Sequence, residues 1–262
     1  MRRPRPTVVK LGGSLLEDAV RRAAVVSAVA EAWNAGGALV VVHGGGKRLD
    51  AHLASLGIPR RIHDGLRITD GPTLEAAVGV LAGVVNKSIV EELRGAGIPA
   101  AGICGADGGT LVAEKRVPSG GVDLGFVGGA ARANAGLLNA ILSAGMLPVL
   151  APIAAGRDGG LLNLNADEAA AAAAAALSAR RLVFFTDVEG VRDEAGRTLS
   201  KLAVRDAEFL LSGPAIEGGM RPKLLACLEA LRTGVREVVI AGPRRHADVL
   251  RGGEGGTSLV AA

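Results

Sequence analysis

Two stretches near the N-terminus combine a short apolar segment with glycines, a pattern that points to anion binding. Residues 7–14 read TVVKLGGS, and residues 38–46 read ALVVVHGGG. Glycine lets backbone N–H groups approach an anionic ligand that a Cβ would keep away. Lys10 lies directly before the first glycines, where its ammonium group would meet a bound phosphate. The two stretches therefore predict a crevice for a phosphate-bearing ligand.

Further polar residues occur where they could hold an anionic substrate. Arg67 follows a glycine turn, and it is either a fork for a substrate carboxylate or a solvated surface arginine. Asn163, Asn165 and Asp167 alternate at period two before an alanine-rich helix, so an extended backbone places them on one face. Helix capping explains Asn165 or Asp167 alone, but three aligned polar groups are more than a cap needs. An acid here would hold phosphate-binding lysines in place.

Two later segments fit either a ligand contact or an ordinary connection. Lys223 follows the sequence GGMRP at the start of a predicted helix, as a surface lysine also would. Residues 187–192 follow an apolar strand, and they either touch adenine and ribose through backbone groups or simply connect two elements. The Gly-Lys-Ser/Thr ending of a Walker A loop is absent from the sequence, and so is the glycine spacing of the dinucleotide fingerprint. The nucleotide-binding classes that depend on those loops are therefore excluded.

Helices and strands alternate along most of the chain, which predicts the fold class. A long helix is expected from residue 72 towards residue 95, and β-hairpins are expected at 110–117 and 122–127. Other short strands are expected at 7–11, 38–43, 98–104, 147–150, 181–185 and 237–241, with a possible edge strand at 258–260. Because helices separate most strands, these strands should run parallel with right-handed crossovers. The glycine loops would then meet at the carboxyl edge of one sheet, where open α/β sheets bind ligands.

The composition excludes several classes of protein. The chain has 262 residues and a net charge of +4, but its charges are dispersed and aromatic residues make up 2%, so a nucleic-acid surface is not expected. Cys104 and Cys227 fit no metal or redox spacing, which predicts two small buried side chains in a reducing compartment. No signal peptide begins the sequence, and the alanine run at 169–176 is too short to span a bilayer. We therefore expect a cytoplasmic protein that does not bind membranes.

Seven motifs, in the same order along the chain, resemble the amino acid kinase family, and in particular its members that phosphorylate N-acetyl-L-glutamate. They are VKLGGS at 9–14, VVVHGGG at 40–46, DGLRITD at 64–70, DLGFVG at 123–128, LLNLNAD at 161–167, TDVEGV at 186–191 and GGMRPK at 218–223. The resemblance implies a three-layer αβα sandwich around a mainly parallel open sheet, with β-hairpin insertions. It also implies an N-terminal lobe, 1–178, that binds acetylglutamate and forms a homodimer, and a C-terminal lobe, 179–262, that binds ATP with Mg²⁺.

The same resemblance implies roles for individual residues in transfer of the γ-phosphoryl group to the side-chain carboxylate, the second step of arginine biosynthesis. Lys10 and Lys223 would stabilise the transition state, and Asp167 would position both. The implied substrate contacts are Gly45, Gly46, Arg67 and Asn163. Backbone N–H groups of Gly12 and Gly13 would face the phosphoryl oxygens, and the other implied ATP contacts are Asp187, Val188, Glu189, Gly190, Val191, Arg192, Ala215, Ile216 and Glu217. ATP oxygens and water would hold Mg²⁺, so no protein ligand to a metal is expected.

Two alternatives and one departure accompany this interpretation. A kinase that acts on carrier-linked aminoadipate in lysine biosynthesis would share most of the motifs. A catalytically silent nucleotide sensor would share the fold, but it would need neither transition-state lysine. Members of the family that arginine inhibits carry a helix before the first strand, whereas only residues 1–6 precede it here. The sequence therefore predicts a dimer that is insensitive to arginine.

Overall fold

The computed structural model describes residues 5–117, 120–193, 195–212, 220–242 and 245–260. In chain order its strands are β1 (Thr7–Leu11), β2 (Leu39–His43), β3 (Ile62–His63), β4 (Leu66–Arg67), β5 (Ala100–Cys104), β6 (Leu111–Lys115), β7 (Gly128–Ala133), β8 (Leu147–Ala151), β9 (Ile153–Gly156), β10 (Leu161–Asn163), β11 (Arg181–Phe185), β12 (Lys201–Ala203), β13 (Glu237–Ala241) and β14 (Thr257–Val260). Its α-helices are α1 (Gly13–Glu17), α2 (Ala19–Asn34), α3 (Gly46–Ser55), α4 (Gly71–Ala77), α5 (Asn86–Gly95), α6 (Gly136–Ser143), α7 (Ala166–Ala176), α8 (Val204–Ser212), α9 (Met220–Arg232) and α10 (His246–Leu250).

An eight-stranded sheet forms the middle layer, in the order β12, β14, β13, β11, β1, β2, β8, β5. The strands from β13 to β5 pair in parallel, and β14 runs antiparallel to β13. The central strands are apolar runs buried along their whole length, as is usual where helices cover both faces. One apolar cluster packs α7 and α9 against one face, and a second packs α2, α3 and α5 against the other. The predicted αβα sandwich around a mainly parallel sheet is confirmed.

A four-stranded sheet and a small hairpin lie beside the main sheet. The four strands follow the order β10, β9, β6, β7, and β3 pairs with β4. Of the two segments predicted to form β-hairpins, 110–117 contains β6, which pairs with β7 at 128–133, whereas 122–127 contains isolated bridges rather than a strand. Strand β7 reads GGAARA and offers no β-branched or alternating pattern, so tertiary pairing alone makes it a strand. The predicted edge strand at 258–260 is β14, which lies between β12 and β13 rather than at an edge.

The long helix predicted from residue 72 is confirmed and begins at Gly71. The Asp70 side chain caps it by accepting from the Thr73 N–H at 3.0 Å. Between α4 and α5 the helix widens into a π-helical segment, Val78–Val85. By length and composition, 71–95 is the one helix of the described residues that could cross a membrane, and 44% of its most apolar window is buried. Apolar residues of the π-helical segment and α5 pack in the core, as in the core helix of a globular domain.

The two cysteines differ in burial. Cys227 is fully buried in α9, as predicted, and burial raises the pKa of its thiol. Cys104 is only half-buried at the end of β5, so the prediction of a buried side chain is wrong there. Both cysteines are free thiols.

Candidate active site

Three charged side chains that lie far apart in sequence meet at the carboxyl edge of the main sheet. The Lys10 Nζ lies 2.7 Å from Asp167 Oδ1, and the Lys223 Nζ donates to Asp167 Oδ2 at 3.0 Å. Their relative exposures are 7% for Lys10, 7% for Asp167 and 6% for Lys223. One carboxylate thus holds two ammonium groups, which is the arrangement expected of Asp167 from the sequence.

Regular elements position each member of this group. Lys10 extends from the central strand β1 on the face that carries α7 and α9, and it pairs in register with Phe184 of β11. Asp167 lies in the first turn of α7, where Asn165 caps the helix by accepting from the Asp167 N–H at 2.8 Å. Lys223 lies in the first turn of α9, and its Nζ is 5.1 Å from the centre of the Phe184 ring. Capping therefore explains Asn165, while the Asp167 carboxylate is used for the lysines.

Burial and charge act against each other in this group. Burial raises the pKa of Asp167, but the Lys10 and Lys223 ammonium groups outweigh it and lower that pKa to about 2. Burial lowers the pKa of Lys10 below its ordinary value, although the Asp167 carboxylate opposes the shift. With all three groups ionised, the cluster carries one positive charge that no buried side chain within it balances. Such a site favours an anion.

The two glycine stretches face each other beside the charged cluster. A Cβ built on Gly13 would lie 3.7 Å from the Gly46 nitrogen and 3.8 Å from the Gly45 nitrogen. A Cβ on Gly12 would lie 2.9 Å from the Phe185 carbonyl oxygen, and that oxygen accepts from the Gly12 N–H at 3.0 Å. The Gly12 N–H is therefore engaged within the sheet edge. Of the two predicted backbone donors to phosphoryl oxygens, only the Gly13 N–H keeps that role as a proposal.

Arg67 lies against the second glycine loop rather than in solvent. Its side chain is 10% exposed, and its Nη2 pairs with the Asp50 carboxylate and contacts the Gly46 carbonyl oxygen at 3.4 Å. Its Nη1 is buried and has no partner among the described residues. One arm of the guanidinium is thus held by the protein, while the other is free to donate to a bound carboxylate.

Asn163 is linked to the same region through Thr69. The Asn163 Nδ2 donates to Thr69 Oγ1 at 3.2 Å, and that hydroxyl donates to the Arg67 carbonyl oxygen at 2.8 Å. The Asn163 N–H donates to the Phe126 carbonyl oxygen at 2.9 Å. The structure therefore brings Gly45, Gly46, Arg67 and Asn163, the four predicted substrate contacts, into one neighbourhood.

The predicted ATP loop connects β11 to β12 at the same edge of the sheet. Asp187 is exposed and accepts from Thr186 Oγ1 at 3.1 Å, whereas Val191 is buried in the core. The Val191 N–H donates to Thr257 Oγ1 and its carbonyl oxygen accepts from the Leu199 N–H, each at 2.8 Å. Both backbone groups of Val191 are therefore engaged inside the protein, which removes the expected backbone contact with ATP at this residue.

The other residues of this loop stay candidates for the ATP site. Val188 and Glu189 are half-buried, and Arg192 is exposed and forms an isolated bridge with Thr198. Gly190 has a φ of 154°, and a Cβ there would lie 2.6 Å from Thr257 Oγ1. The backbone conformation and the packing therefore both require glycine at this position. The predicted contacts at Ala215, Ile216 and Glu217 lie outside the described residues.

Sequence reasoning missed two buried residues beneath the second glycine loop. The fully buried His43 contacts the Gly44 carbonyl oxygen through Nδ1 at 2.8 Å and Asn86 Nδ2 through Nε2 at 3.1 Å. Burial lowers the pKa of His43 to about 4, so the ring is neutral near pH 7. A histidine inside an apolar strand and an asparagine after the apolar helical run 78–85 are the signals that could have marked them.

Comparison with known proteins places this site in a family. Residues 5–242 match the sequence model of the amino acid kinase family, and the chain belongs to that family. It is 41% identical to acetylglutamate kinase from Rhizobium rhizogenes over 252 residues, which is 93% of this chain and 85% of the relative. It is 42% identical to acetylglutamate kinase from Bartonella henselae over 252 residues, with 93% and 84% covered. The resemblance predicted from the seven motifs is confirmed.

Solved structures agree in fold. A Streptococcus mutans protein superposes with a TM-score of 0.84 at 26% identity, covering 98% of this chain and 99% of the other. The N-acetylglutamate synthase of Neisseria gonorrhoeae, solved with coenzyme A and N-acetyl-glutamate, gives a TM-score of 0.84 at 25% identity. That match covers 99% of this chain but 60% of the synthase. The whole described architecture is therefore that of a known fold.

Proposed function

We propose that this enzyme transfers the γ-phosphoryl group of ATP to the side-chain carboxylate of N-acetyl-L-glutamate, yielding N-acetyl-L-glutamyl 5-phosphate in arginine biosynthesis. The observation that carries the proposal is the buried Lys10–Asp167–Lys223 cluster, which lies at the carboxyl edge of the sheet beside two facing glycine loops. Relatives that are 41% and 42% identical over most of the chain bear the name acetylglutamate kinase. The name and the geometry support the same reaction.

The chemistry needs charge and alignment rather than a general base. The attacking carboxylate is already ionised near pH 7, so no proton has to be removed from it. Lys10 and Lys223 would donate to oxygens of the transferring phosphoryl group, where negative charge must be stabilised. Asp167 holds the two ammonium groups and itself attacks nothing. The enzyme thus contributes two directed cations and a fixed approach.

Magnesium would enter with the nucleotide and help neutralise its phosphates. In the part of the chain that the structure describes, no group of three or more His, Cys, Asp or Glu side chains could hold a metal ion. The donor set of the described site fits a complex of ATP and Mg²⁺ in which nucleotide oxygens and water supply most metal ligands. Lys10, Lys223 and the Gly13 N–H would contact the phosphates.

The acceptor would bind at the second glycine loop. Arg67 would grip its α-carboxylate with the free Nη1, while Gly45, Gly46 and Asn163 would contact the rest of the molecule. In this proposal residues 1–178 bind acetylglutamate and form a homodimer, and residues 179–262 bind ATP. The enzyme would act in the cytoplasm.

The test is formation of an acyl phosphate, trapped with hydroxylamine, when ATP is added to N-acetylglutamate, glutamate, aspartate or α-aminoadipate. We expect turnover of N-acetylglutamate alone, and loss of about 10²–10³-fold in rate in Lys10→Ala and in Lys223→Ala. Lys201→Ala removes an exposed lysine of β12 and serves as the matched control, with an unchanged rate. Failure on all four acceptors while ATP still binds would reject the proposal and favour a carrier-linked acceptor or a nucleotide sensor.

A further inference from the structure

A chain of hydrogen bonds runs from the exposed Lys87 through two buried side chains to the second glycine loop. The Lys87 Nζ donates to Asn86 Oδ1 at 3.1 Å and to the Gly102 carbonyl oxygen at 2.9 Å. The Asn86 Nδ2 contacts His43 Nε2, and His43 Nδ1 contacts the Gly44 carbonyl oxygen. His43 and Asn86 both have no exposed surface. The chain ends on the loop that carries the proposed acceptor site.

The surroundings of Asn86 fix the direction of every bond in this chain. Its Nδ2 also lies 3.0 Å from the Val149 carbonyl oxygen and 3.3 Å from the Ile103 carbonyl oxygen, so the two amide hydrogens are shared among three acceptors, while its Oδ1 accepts from an ammonium group. The amide nitrogen is therefore the donor towards His43, and Nε2 of the neutral ring must accept. The remaining proton lies on Nδ1, which donates to the Gly44 carbonyl oxygen.

That last bond decides which way a peptide group of the loop faces. In a trans peptide the C=O and the following N–H point in opposite directions. Because the Gly44 C=O points at His43, the Gly45 N–H points away from His43 and out of the apolar layer beneath the loop. The Gly44 N–H donates to the Leu11 carbonyl oxygen at 3.0 Å, and the Gly45 carbonyl oxygen accepts from the Leu49 N–H at 2.9 Å. Among the described residues neither the Gly45 N–H nor the Gly46 N–H has an acceptor, so these are the loop groups left for a ligand, and the bond from His43 orients the first of them.

The π-helical segment supports the loop from the same side. Gly45 has a φ of 149°, and a Cβ on it would lie 2.8 Å from Leu81 Cδ2 and 3.2 Å from Val85 Cγ2. Leu81 and Val85 belong to the π-helical segment, which ends directly before Asn86. One short stretch of helix thus supplies both the wall behind Gly45 and the amide that orients His43, a placement often found for π-helical turns at functional sites.

We propose that His43, held by Asn86, is a positioning residue that locks the Gly44–Gly45 peptide so that the Gly45 N–H faces the acceptor substrate. This inference rests on the proposed function, because that function makes the acceptor a carboxylate-bearing acyl amino acid. His43 touches no substrate. It acts through the peptide, by preventing a flip that would turn the Gly44 carbonyl oxygen towards the anionic acceptor.

The test compares two amide substitutions that each keep one half of the imidazole. Asn places a nitrogen where Nδ1 stands, so His43→Asn keeps the donor to the Gly44 carbonyl oxygen and leaves Asn86 with its two backbone acceptors. Gln places its amide where Nε2 stands, so His43→Gln keeps an acceptor for Asn86 and loses the donor to Gly44. We expect KM for N-acetylglutamate to rise at least about tenfold in His43→Gln and less than about threefold in His43→Asn, with KM for ATP unchanged in both.

A second measurement reads the peptide without turnover. In the unliganded protein, the amide ¹H and ¹⁵N resonances of Gly45 should stay near their wild-type positions in His43→Asn and shift or broaden in His43→Gln. Equal Gly45 spectra in both variants, or KM values that rise together for both substrates, would overturn the proposal. Absence of N-acetylglutamate turnover by the wild type would reject the proposed function instead, and the Gly45 resonances would still decide whether His43 locks the peptide.

Discussion

The crevice has two halves, built on opposite faces of one sheet. The charged half consists of Lys10, Asp167 and Lys223, and the neutral half consists of His43, the Gly44–Gly45 loop and Asn86. Lys10 pairs in register with Val42, so His43, one residue later, points to the other face of the sheet. The first half packs with α7 and α9, and the second with the π-helical segment.

The halves solve the problem of burying polar groups in different ways. The charged half keeps an excess of one positive charge, so its electrostatic balance is completed by an anionic ligand. The neutral half satisfies the polar atoms of its two buried side chains internally and leaves the N–H groups of Gly45 and Gly46 for the acceptor. The charge of the charged half is therefore balanced only when an anionic ligand binds, whereas the neutral half is preorganised before any ligand binds.

The largest effect should follow from removing the negative charge of the charged half. Asp167→Asn leaves two ammonium groups close together in a buried site, so we expect kcat to fall by about 10³-fold or more. The free energy of unfolding should fall by about 3–5 kcal/mol, because an unbalanced buried charge remains. Hydroxylamine trapping and urea unfolding measure the two quantities, with the exposed Asp158→Asn as control. A kcat within tenfold of wild type would show that Asp167 does not organise the lysines.

The two halves should respond to acid in separate pH ranges. The folded-state pKa of His43 is about 4, below its ordinary 6.5, so only the unfolded chain binds this proton as the pH falls from 6.5 to 4. Its share of the free energy of unfolding, about 3 kcal/mol, is therefore present above pH 6.5 and lost towards pH 4. The pKa of Asp167 falls from 3.8 to about 2, so its share is present above pH 3.8 and lost towards pH 2.

Urea unfolding at a series of pH values tests this separation. Burial also lowers the pKa of His246 to about 4, so two histidines contribute to the upper range. His43→Asn should make the loss between pH 6.5 and 4 shallower, and it should leave the loss below pH 4 in place. A free energy of unfolding that stays constant from pH 7 to pH 4 would contradict a neutral, buried His43.

A smaller effect is expected at the entrance to the neutral half. Arg67→Lys replaces a fork by a single ammonium group, which cannot serve both Asp50 and a substrate carboxylate. KM for N-acetylglutamate should rise about 10–30-fold, with kcat and KM for ATP nearly unchanged. Steady-state kinetics measure this, and Arg205→Lys, at an exposed arginine of α8, is the matched control. An unchanged KM would place the α-carboxylate elsewhere.

The smallest effect concerns the loop beside the charged half. Thr257→Val removes the hydroxyl that accepts from the Val191 N–H and donates to the Leu199 carbonyl oxygen. Leaving these buried groups without partners should lower the free energy of unfolding by about 1–2 kcal/mol. We expect KM for ATP to rise about two- to threefold, whereas Thr257→Ser keeps the hydroxyl and should match wild type. A rise in KM for N-acetylglutamate, with KM for ATP unchanged, would contradict the assignment of this loop to ATP and of the neutral half to the acceptor.

The charged half could be predicted from the sequence because its residues violate local rules. Lys10 lies inside an apolar strand and Asp167 is aligned with two asparagines, so each charged side chain needs an oppositely charged partner. The motif resemblance assigns them to each other. The neutral half could not be predicted, since it depends on a histidine and an asparagine that only packing brings together. The engaged Gly12 N–H is similar, because its acceptor belongs to β11, which follows far along the chain. Strand β7 escaped prediction because its glycines and alanines carry no strand pattern.

Gly102 shows how the neutral half constrains the variation of this sequence. A Cβ at this position would lie 2.0 Å from Asn86 Oδ1 and 2.7 Å from Lys87 Nζ. Any larger residue at 102 would therefore displace the amide that orients His43, although Gly102 lies on β5 and touches no proposed ligand. Positions 86 and 102 should consequently vary together among homologues: a larger residue should replace Gly102 only in sequences in which Asn86 has already been replaced.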